Sequence, residues 1–384
     1  MADRITPGRI KTNNRQQIYN YIYQKRRASQ QDMLYALRLS RPTVATNLAE
    51  LEGDGLICRS GQIEADQIGR KAAAYSIVPD YRAAVGVEIL RAKVKIIAID
   101  LYGDKLRREV VEQRFAHEPA YYKSVCAAIN RFIDALEVPR DRILGVGISA
   151  QGLASEDGRS MVYGAILGCT GLTVDVFENE IGLPCRFFHD PQGAALSEIW
   201  VSPELKNGVY LSLSAHLGGA AIANRQIMSG KHGHNSTFEH IQVKPDGDVC
   251  YCGKRGCWDT LLSRRALVGD RTVEEFFEVM RMGDAEAVAS WSAYLRNLGA
   301  LIAHLHLVYD VDFILGGHLA PYFTEADIRR LYDEIRRLCP FDEADDFIRI
   351  SKMPSHNITV GIALPYIRAY LDEIGVEEGG GDLA

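Results

Sequence analysis

The segment His240-Ile241-Gln242-Val243-Lys244-Pro245-Asp246-Gly247-Asp248-Val249-Cys250-Tyr251-Cys252-Gly253-Lys254-Arg255-Gly256-Cys257 constrains this chain more than any other. It gathers one imidazole and three thiols into a short stretch rich in turn residues. His240, Cys250, Cys252 and Cys257 form a Cys3His set, and soft thiolates with a neutral imidazole suit a closed, tetrahedral Zn2+. Gly253 and Gly256 let the backbone turn tightly enough for Cys252 and Cys257 to converge. The other reading is a group of buried free cysteines beside a core histidine, but four metal-binding side chains at such tight spacing favour the metal. Four protein ligands leave no coordination position for water, so the expected zinc is structural and pins a loop.

The remaining cysteines, Cys58, Cys126, Cys169, Cys185 and Cys339, are scattered singly rather than in a secreted disulfide pattern, which fits a reducing cytosol. Met1-Ala2-Asp3-Arg4 lacks an apolar signal core. The most apolar later stretch, Leu298 to Leu315, is interrupted by His304, His306, Asp310 and Asp312 and is not expected to span a membrane. A cytoplasmic chain follows as the expectation. Its 384 residues suggest two or three domains. The net charge of −6 is unevenly spread: residues 1–82 carry 13 Lys and Arg against 8 Asp and Glu, a +5 head on a −11 body. That balance is expected where only the head meets a polyanion.

Residues 1–82 read as a DNA-binding domain. Asn13 or Asn14 can cap a first helix that places Ile18, Tyr21 and Ile22 on one face. Ser29 and Asp32 form a capping box for a second helix carrying Met33, Leu34 and Leu37 inward. Ser40 caps a third, with Pro42 in its first turn and Val44, Leu48 and Leu51 as a buried stripe. Its other face is read as Arg41, Thr43, Thr46 and Asn47, groups suited to base edges and phosphates. Strands at Leu56–Arg59 and Ala74–Val78 add a hairpin, so the pattern is a winged helix-turn-helix whose third helix reads a double-stranded DNA operator. Gly69-Arg70-Lys71 makes a basic tip suited to a minor groove, although a solvated turn fits equally well. A small helical interaction module without a DNA role is the competing reading.

From Ala83 the pattern turns to α/β. Strands at Ala84–Ile89, Val94–Leu101 and Leu106–Glu112, a helix near Tyr121–Leu136 and a buried strand at Ile143–Ile148 make a first lobe over 83–200. A second lobe over 201–357 opens with Gly208–Leu213 and Ala220–Asn224 and carries the zinc loop and Phe313–Leu315. A helix near 358–374 is expected to return to the first lobe, and Glu377–Ala384 reads as a frayed tail.

Cys250-x-Cys252-Gly253-x-x-Gly256-Cys257-x-Asp259 resembles the zinc signature of the ROK family (repressors, open reading frames, kinases), which ends in glutamate where this chain has Asp259. The resemblance runs from about Val85 to Ala369. It implies a two-lobed actin-like (ribonuclease H-like) body closing on a cleft for a sugar and a nucleotide. Phosphoryl transfer needs a backbone-lined phosphate cradle, magnesium and a base. The family's kinases supply the first cradle with Asp-x-Gly-Gly-Thr-Lys; here that place reads Glu88-Ile89-Leu90-Arg91-Ala92-Lys93. The second, Gly-Thr-Gly-x-Gly-Gly-Gly, has become Ser214-Ala215-His216-Leu217-Gly218-Gly219-Ala220. Both cradles have lost defining residues, so the chain is expected not to be an enzyme, although Gly316-Gly317 matches the adenosine-side pair.

His189-Asp190 stands where the kinases place the aspartate that accepts a sugar hydroxyl proton; helix capping is the alternative for Asp190. Thr237-Phe238-Glu239-His240 occupies the place of Glu-x-Gly-His, so the usual sugar-binding glutamate is Thr237 and the usual glycine is Glu239. Gln151-Gly152 matches a Pro-Gly turn at the pocket wall. The resemblance thus implies Gly152, His189, Asp190, Thr237, His240 and Asp259 as ligand-binding candidates. His232 and His234 precede the motif, either in the pocket or in exposed loop. The implied protein is a sugar-responsive transcriptional regulator, most simply a repressor, acting as a homodimer or homotetramer. A sugar kinase with a DNA-binding head, and a DNA-binding scaffold with a vestigial cleft, are the alternatives. Leu298–Val308 offers an apolar helix for an interface or for core.

Overall fold

The computed structural model describes residues 7–63, 72–341, 344–353 and 357–374. Arg70 and Lys71 lie outside the described residues. The head comprises α1 (Pro7–Lys25), β1 (Ala28–Ser29), α2 (Gln30–Leu37), α3 (Arg41–Gly53), β2 (Ile57–Ile63) and β3 (Ala72–Ile77). Within the described residues α1 runs unbroken from Pro7. Asn13 and Asn14 therefore sit inside the helix and cap nothing. The capping box at α2 is complete: Ser29 Oγ accepts from the Asp32 N–H at 3.2 Å, and the Ser29 N–H donates to Asp32 Oδ2 at 2.8 Å. At α3, Ser40 Oγ accepts from the Thr43 N–H at 3.3 Å. Ile18, Ile22, Met33, Val44, Leu48 and Leu51 are buried together, with Leu34 and Leu37 packed at their edge. β1, β3 and β2 form an antiparallel sheet in that order.

Asn47 corrects the sequence reading of α3. Only 3% exposed, it turns inward and donates from Nδ2 to the Thr43 carbonyl at 2.8 Å. Arg41 and Thr46 are exposed and Thr43 half-buried.

The body follows with β4 (Ala83–Ile89), β5 (Lys93–Ile99), β6 (Lys105–Glu112), α4 (Pro119–Asp134), β7 (Ile143–Ser149), the short pair β8 (Leu153–Ala154) and β9 (Met161–Tyr163), α5 (Asp175–Ile181), β10 (Cys185–Phe188) and α6 (Asp190–Val201). The first sheet runs β10-β7-β4-β5-β6. β4, β5 and β6 pair antiparallel, while β7 and β10 run parallel to β4. Every residue of β4 is buried, as an apolar run in a central strand requires. Edge strand β6 is exposed along most of its length and carries charge, which discourages further pairing.

The second sheet, β13-β12-β11-β14-β15, uses β11 (Gly208–Leu213), β12 (Leu217–Ala223) and β13 (Gln226–Ile227). After α7 (Asp259–Leu262), α8 (Arg264–Val268), α9 (Val273–Arg281) and α10 (Ala285–Tyr309) come β14 (Asp312–Gly316), α11 (Glu325–Leu338) and β15 (Ile348–Ile350). α10 answers the question left by Leu298–Val308: Leu298, Leu301, Ile302, Ala303 and Leu305 are core, and Leu307 and Val308 face outward. No helix among the described residues is long and apolar enough to cross a membrane.

The last helix, α12 (Asn357–Glu373), returns to the first sheet and packs on β4, β7 and α6. Glycine makes this approach feasible. A Cβ on Gly86 would stand 1.8 Å from the Thr359 carbonyl oxygen, and one on Gly361 would stand 1.7 Å from that of Gly193.

Head and body share one apolar cluster that includes Ile18, Ile22, Leu101 and Leu364. Tyr23 of α1 stacks on Tyr102 with ring centroids 4.9 Å apart and donates its hydroxyl proton to the Leu101 carbonyl at 3.0 Å. Arg26 covers the same Tyr102 ring at 3.4 Å. From the body side, Trp200 in the last turn of α6 donates to the Tyr102 carbonyl at 2.8 Å.

Candidate metal loop and interlobe cleft

The turns around the cysteines are held by backbone bonds from Cys250 N to Lys254 O (2.7 Å) and Gly253 N to Cys250 O (2.8 Å). Gly256 has φ +66°, and a Cβ there would stand 1.6 Å from the Lys244 carbonyl oxygen, so no other residue fits. His240 Nδ1 lies 3.7 Å from Cys250 Sγ, and Cys252 Sγ lies 3.8 Å from Cys257 Sγ. All four ligand atoms lie within 4.8 Å of one another. The thiols are free, far beyond a bonded S–S length of about 2.05 Å. Ligands of a tetrahedral zinc, with Zn–S bonds of about 2.3 Å, stand roughly 3.7–3.8 Å apart. The cluster could therefore hold a metal ion, and its donor set suits a soft one.

Beside this loop, a cleft of about 740 Å3 opens between the two sheets. Gly152, His189, Asp190 and His240 line it, as the sequence anticipates. A Cβ on Gly152 would meet the Tyr163 carbonyl oxygen at 2.4 Å, so a side chain there would displace the facing wall. Asp190 is the first residue of α6, but its carboxylate does not cap the helix. It accepts from the Ser149 hydroxyl at the end of β7. Burial, and then the nearby Glu88 carboxylate, push Asp190 up to about 7. His189, buried against His240 with Nδ1 unpartnered, is pushed down to about 4, chiefly by desolvation.

Two anticipated ligand contacts are not on the cleft wall. Thr237 sits at the entry to a 3-10 turn and donates its hydroxyl to the His234 carbonyl at 3.1 Å. Asp259 is buried and already engaged: Oδ1 accepts from the Leu217 N–H at 2.9 Å, and Oδ2 meets His216 Nδ1 at 3.1 Å. It braces β12 against the metal loop and reaches the cleft only through His216. His232 and His234 are exposed and do not line it. In their place stand two residues that sequence reasoning left unassigned, His216 and Glu239. The 3-10 turn over Phe238–His240 brings Glu239 inward, and no residue-type pattern announces that turn.

The first phosphate-cradle position is filled. Glu88, buried at the end of β4, is ion-paired to Lys95 at 2.8 Å, and Leu90 in the following turn also lines the cleft. At the second, a Cβ on Gly317 would stand 2.5 Å from Ser214 Oγ, so Ser214 rests on this glycine turn.

Two lobes, each built on a five-stranded mixed sheet and facing one another across a cleft, define the actin-like α/β class. The chain belongs to the ROK family, whose model matches residues 84–340. Among its relatives are both regulators and kinases. It is 25% identical over 342 residues to the DNA-binding transcriptional dual regulator NagC of Escherichia coli (strain K12), covering 83% of this chain and 82% of that protein. It is 28% identical over 278 residues to a glucokinase of Streptomyces coelicolor, covering 63% of this chain and 86% of that one. In fold it resembles the crystal structure of a ROK family transcriptional regulator, a homolog of the E. coli MLC protein, with TM-score 0.68 and 22% identity. That match covers 95% of this chain and 98% of the other.

Proposed function

We propose that the chain is a DNA-binding transcriptional regulator, a repressor, whose ROK body senses a sugar or sugar derivative and carries no kinase activity. Residues 1–82 form a winged helix-turn-helix with α3 as the major-groove reader. Arg41, Thr43 and Thr46 face the DNA, while the buried Asn47 holds the helix. Arg70 and Lys71 of the wing tip complete the contact. Residues 83–200 with α12, and 201–357, are the two lobes. Zn2+ held by His240, Cys250, Cys252 and Cys257 fixes the cleft wall, where Asp190 and His240 take the ligand hydroxyls. The protein acts in the cytoplasm as a dimer or tetramer on a symmetric operator.

The observation that carries this reading is the filled first phosphate cradle: a Glu88–Lys95 ion pair and the Leu90 side chain occupy the place where backbone would have to approach phosphate. A sensing role also has a structural route. α6 begins at Asp190 in the cleft and carries Trp200 in its last turn, where it grips the Tyr102 turn against Tyr23 and Arg26 of the head. A change at the cleft end of this helix is passed to α1 as a rigid-body displacement. The relatives that are regulators support the same reading.

The test is to sequence the genomic fragments that the zinc-loaded protein retains at physiological salt. A palindrome beside carbohydrate transport or catabolism genes is expected. No enrichment over bulk DNA would contradict the regulator. The placement of Asp190 and the similarity to glucokinase favour a kinase as the second reading. Sugar-dependent ADP formation by the same protein would establish it.

A further inference from the structure

α6 closes the first lobe, yet one of its faces packs on the second sheet. Ala194, Ala195 and Ile199 share an apolar cluster with Tyr210, Ile222 and Ile314. Two polar contacts fasten the C-terminal end of the helix to that second lobe. Glu198 is 3% exposed, and its donors are neutral. Its Oε2 accepts from the Ser351 hydroxyl at 2.7 Å and from the Lys352 N–H at 3.1 Å, where the chain leaves β15. Its Oε1 accepts from the Ser202 hydroxyl at 3.3 Å. Burying a carboxylate costs free energy that an apolar side chain in the same place would not. What the carboxylate adds is direction: it sets the helix in register with the strand exit. Arg225, in the turn between β12 and β13, holds the same end from another side. Its Nη1 donates to the Ser202 and Pro203 carbonyls at 2.9 and 2.8 Å, and its Nη2 to the Ile199 carbonyl at 2.9 Å. The last carbonyls of a helix lack partners within it and favour a cation.

We propose that Glu198 and Arg225 are positioning residues that make α6 travel with the second lobe, so that closure of the cleft on a ligand is delivered to the DNA-binding head through Trp200. Glu198 and Trp200, two residues apart, project about 200° apart around the helix. The first holds the second lobe; the other holds the Tyr102 turn, on which Tyr23 and Arg26 of the head rest. Gly103 in that turn has φ +82°, and a Cβ there would stand 2.7 Å from Trp200 Nε1, so the turn seats the indole closely. A rotation of the second lobe therefore turns the helix against the head. This role rests on the sugar-sensing reading of the cleft. A purely structural role, capping α6 and satisfying a buried acid, predicts different behaviour: loss of either side chain would lower stability and leave the ligand response intact.

The experiment titrates the full-length, zinc-loaded chain and its Glu198→Ala, Arg225→Ala and Glu198→Gln variants with a genomic fragment that the wild type retains. Each titration is run with and without saturating glucose, mannose, fructose or N-acetylglucosamine, with sugar affinity measured by calorimetry and stability by urea unfolding. In the wild type, a sugar that binds is expected to change fragment affinity at least about tenfold. In Glu198→Ala and Arg225→Ala the change falls to about twofold or less, although both variants still bind sugar and fragment. Glu198→Gln is expected to keep most of the response, because its amide oxygen can take the Ser351 and Lys352 donors while its amide nitrogen donates to the Ser202 hydroxyl. A response undiminished in both alanine variants would overturn the relay while leaving sugar sensing intact. Loss of sugar binding itself in these variants would also overturn it, since the two residues would then serve the cleft. Binding of none of the sugars, or binding that leaves wild-type fragment affinity unmoved, would overturn the sensing reading and the relay with it.

Discussion

Asp190 carries a carboxyl whose charge the fold disfavours. Its pKa is raised from the ordinary 3.8 to about 7, so the fold prefers the protonated carboxyl. The stability it contributes is full below about pH 4 and is lost as pH rises towards 7. Asp190→Asn keeps an acceptor for Ser149 and removes the charge. Denaturant titrations should find it more stable than the wild type at pH 8, by up to about 4 kcal/mol, with the difference shrinking towards pH 5, while sugar binding is lost. A pH-independent difference would contradict this account of Asp190. Gly256→Ala is expected to destabilise severely, because the new methyl meets the Lys244 carbonyl and φ +66° disfavours any side chain. Cys252→Ser should release the metal and, with it, apparent folding energy on the order of 10 kcal/mol. Metal analysis and thermal unfolding of the two variants check both outcomes; unchanged zinc in Cys252→Ser would contradict the Cys3His site.

Among elements, α3 separates two kinds of side chain that the sequence alone grouped together. Asn47→Ala removes a buried side-chain bond to the Thr43 carbonyl and should cost about 1 kcal/mol of stability with little direct effect on base contacts. Arg41→Ala should leave stability unchanged and weaken operator binding by roughly 1–3 kcal/mol if it reads a base. Anisotropy titrations and urea unfolding of the pair distinguish these effects. The spacing held the clue: position 47 falls three after Val44 and four before Leu51, within the buried stripe. Other elements were directly legible. The Ser29–Asp32 box, the Ser40 cap and the convergent cysteines depend on local chemistry, and local chemistry is what a sequence displays. Asn13 and Asn14 have the chemistry of caps, yet α1 already runs through them, because a polar residue inside a helix looks the same in sequence as one at its end. The inward turn at Glu239 depends on a single 3-10 turn, and the engagement of Asp259 with β12 on a contact across 42 residues, neither of which residue patterning encodes. α6 offers a further test. Trp200→Phe keeps an aromatic side chain but loses ring volume and the bond to the Tyr102 carbonyl, so stability should fall by at least about 1 kcal/mol. The sugar-induced change in operator affinity should shrink as well; undiminished coupling would mean that another contact carries the signal.

The whole molecule joins a basic head to an acidic two-lobed body through one shared apolar cluster. The alternation of strands and helices made the lobes readable, since each lobe repeats the same local periods. The return of α12 to the first sheet was expected from the resemblance, but the close glycine contacts that permit it, at Gly86 and Gly361, emerge only in three dimensions. In the proposed regulator, a ligand bound between the lobes reaches the DNA through this packing of body on head. The affinity of the protein for a retained genomic fragment, with and without saturating sugar at physiological salt, tests sugar-linked DNA binding most directly. A change of at least about tenfold is expected, a coupling of roughly 1.4 kcal/mol between cleft and head. An operator affinity indifferent to every sugar that binds the cleft would contradict it.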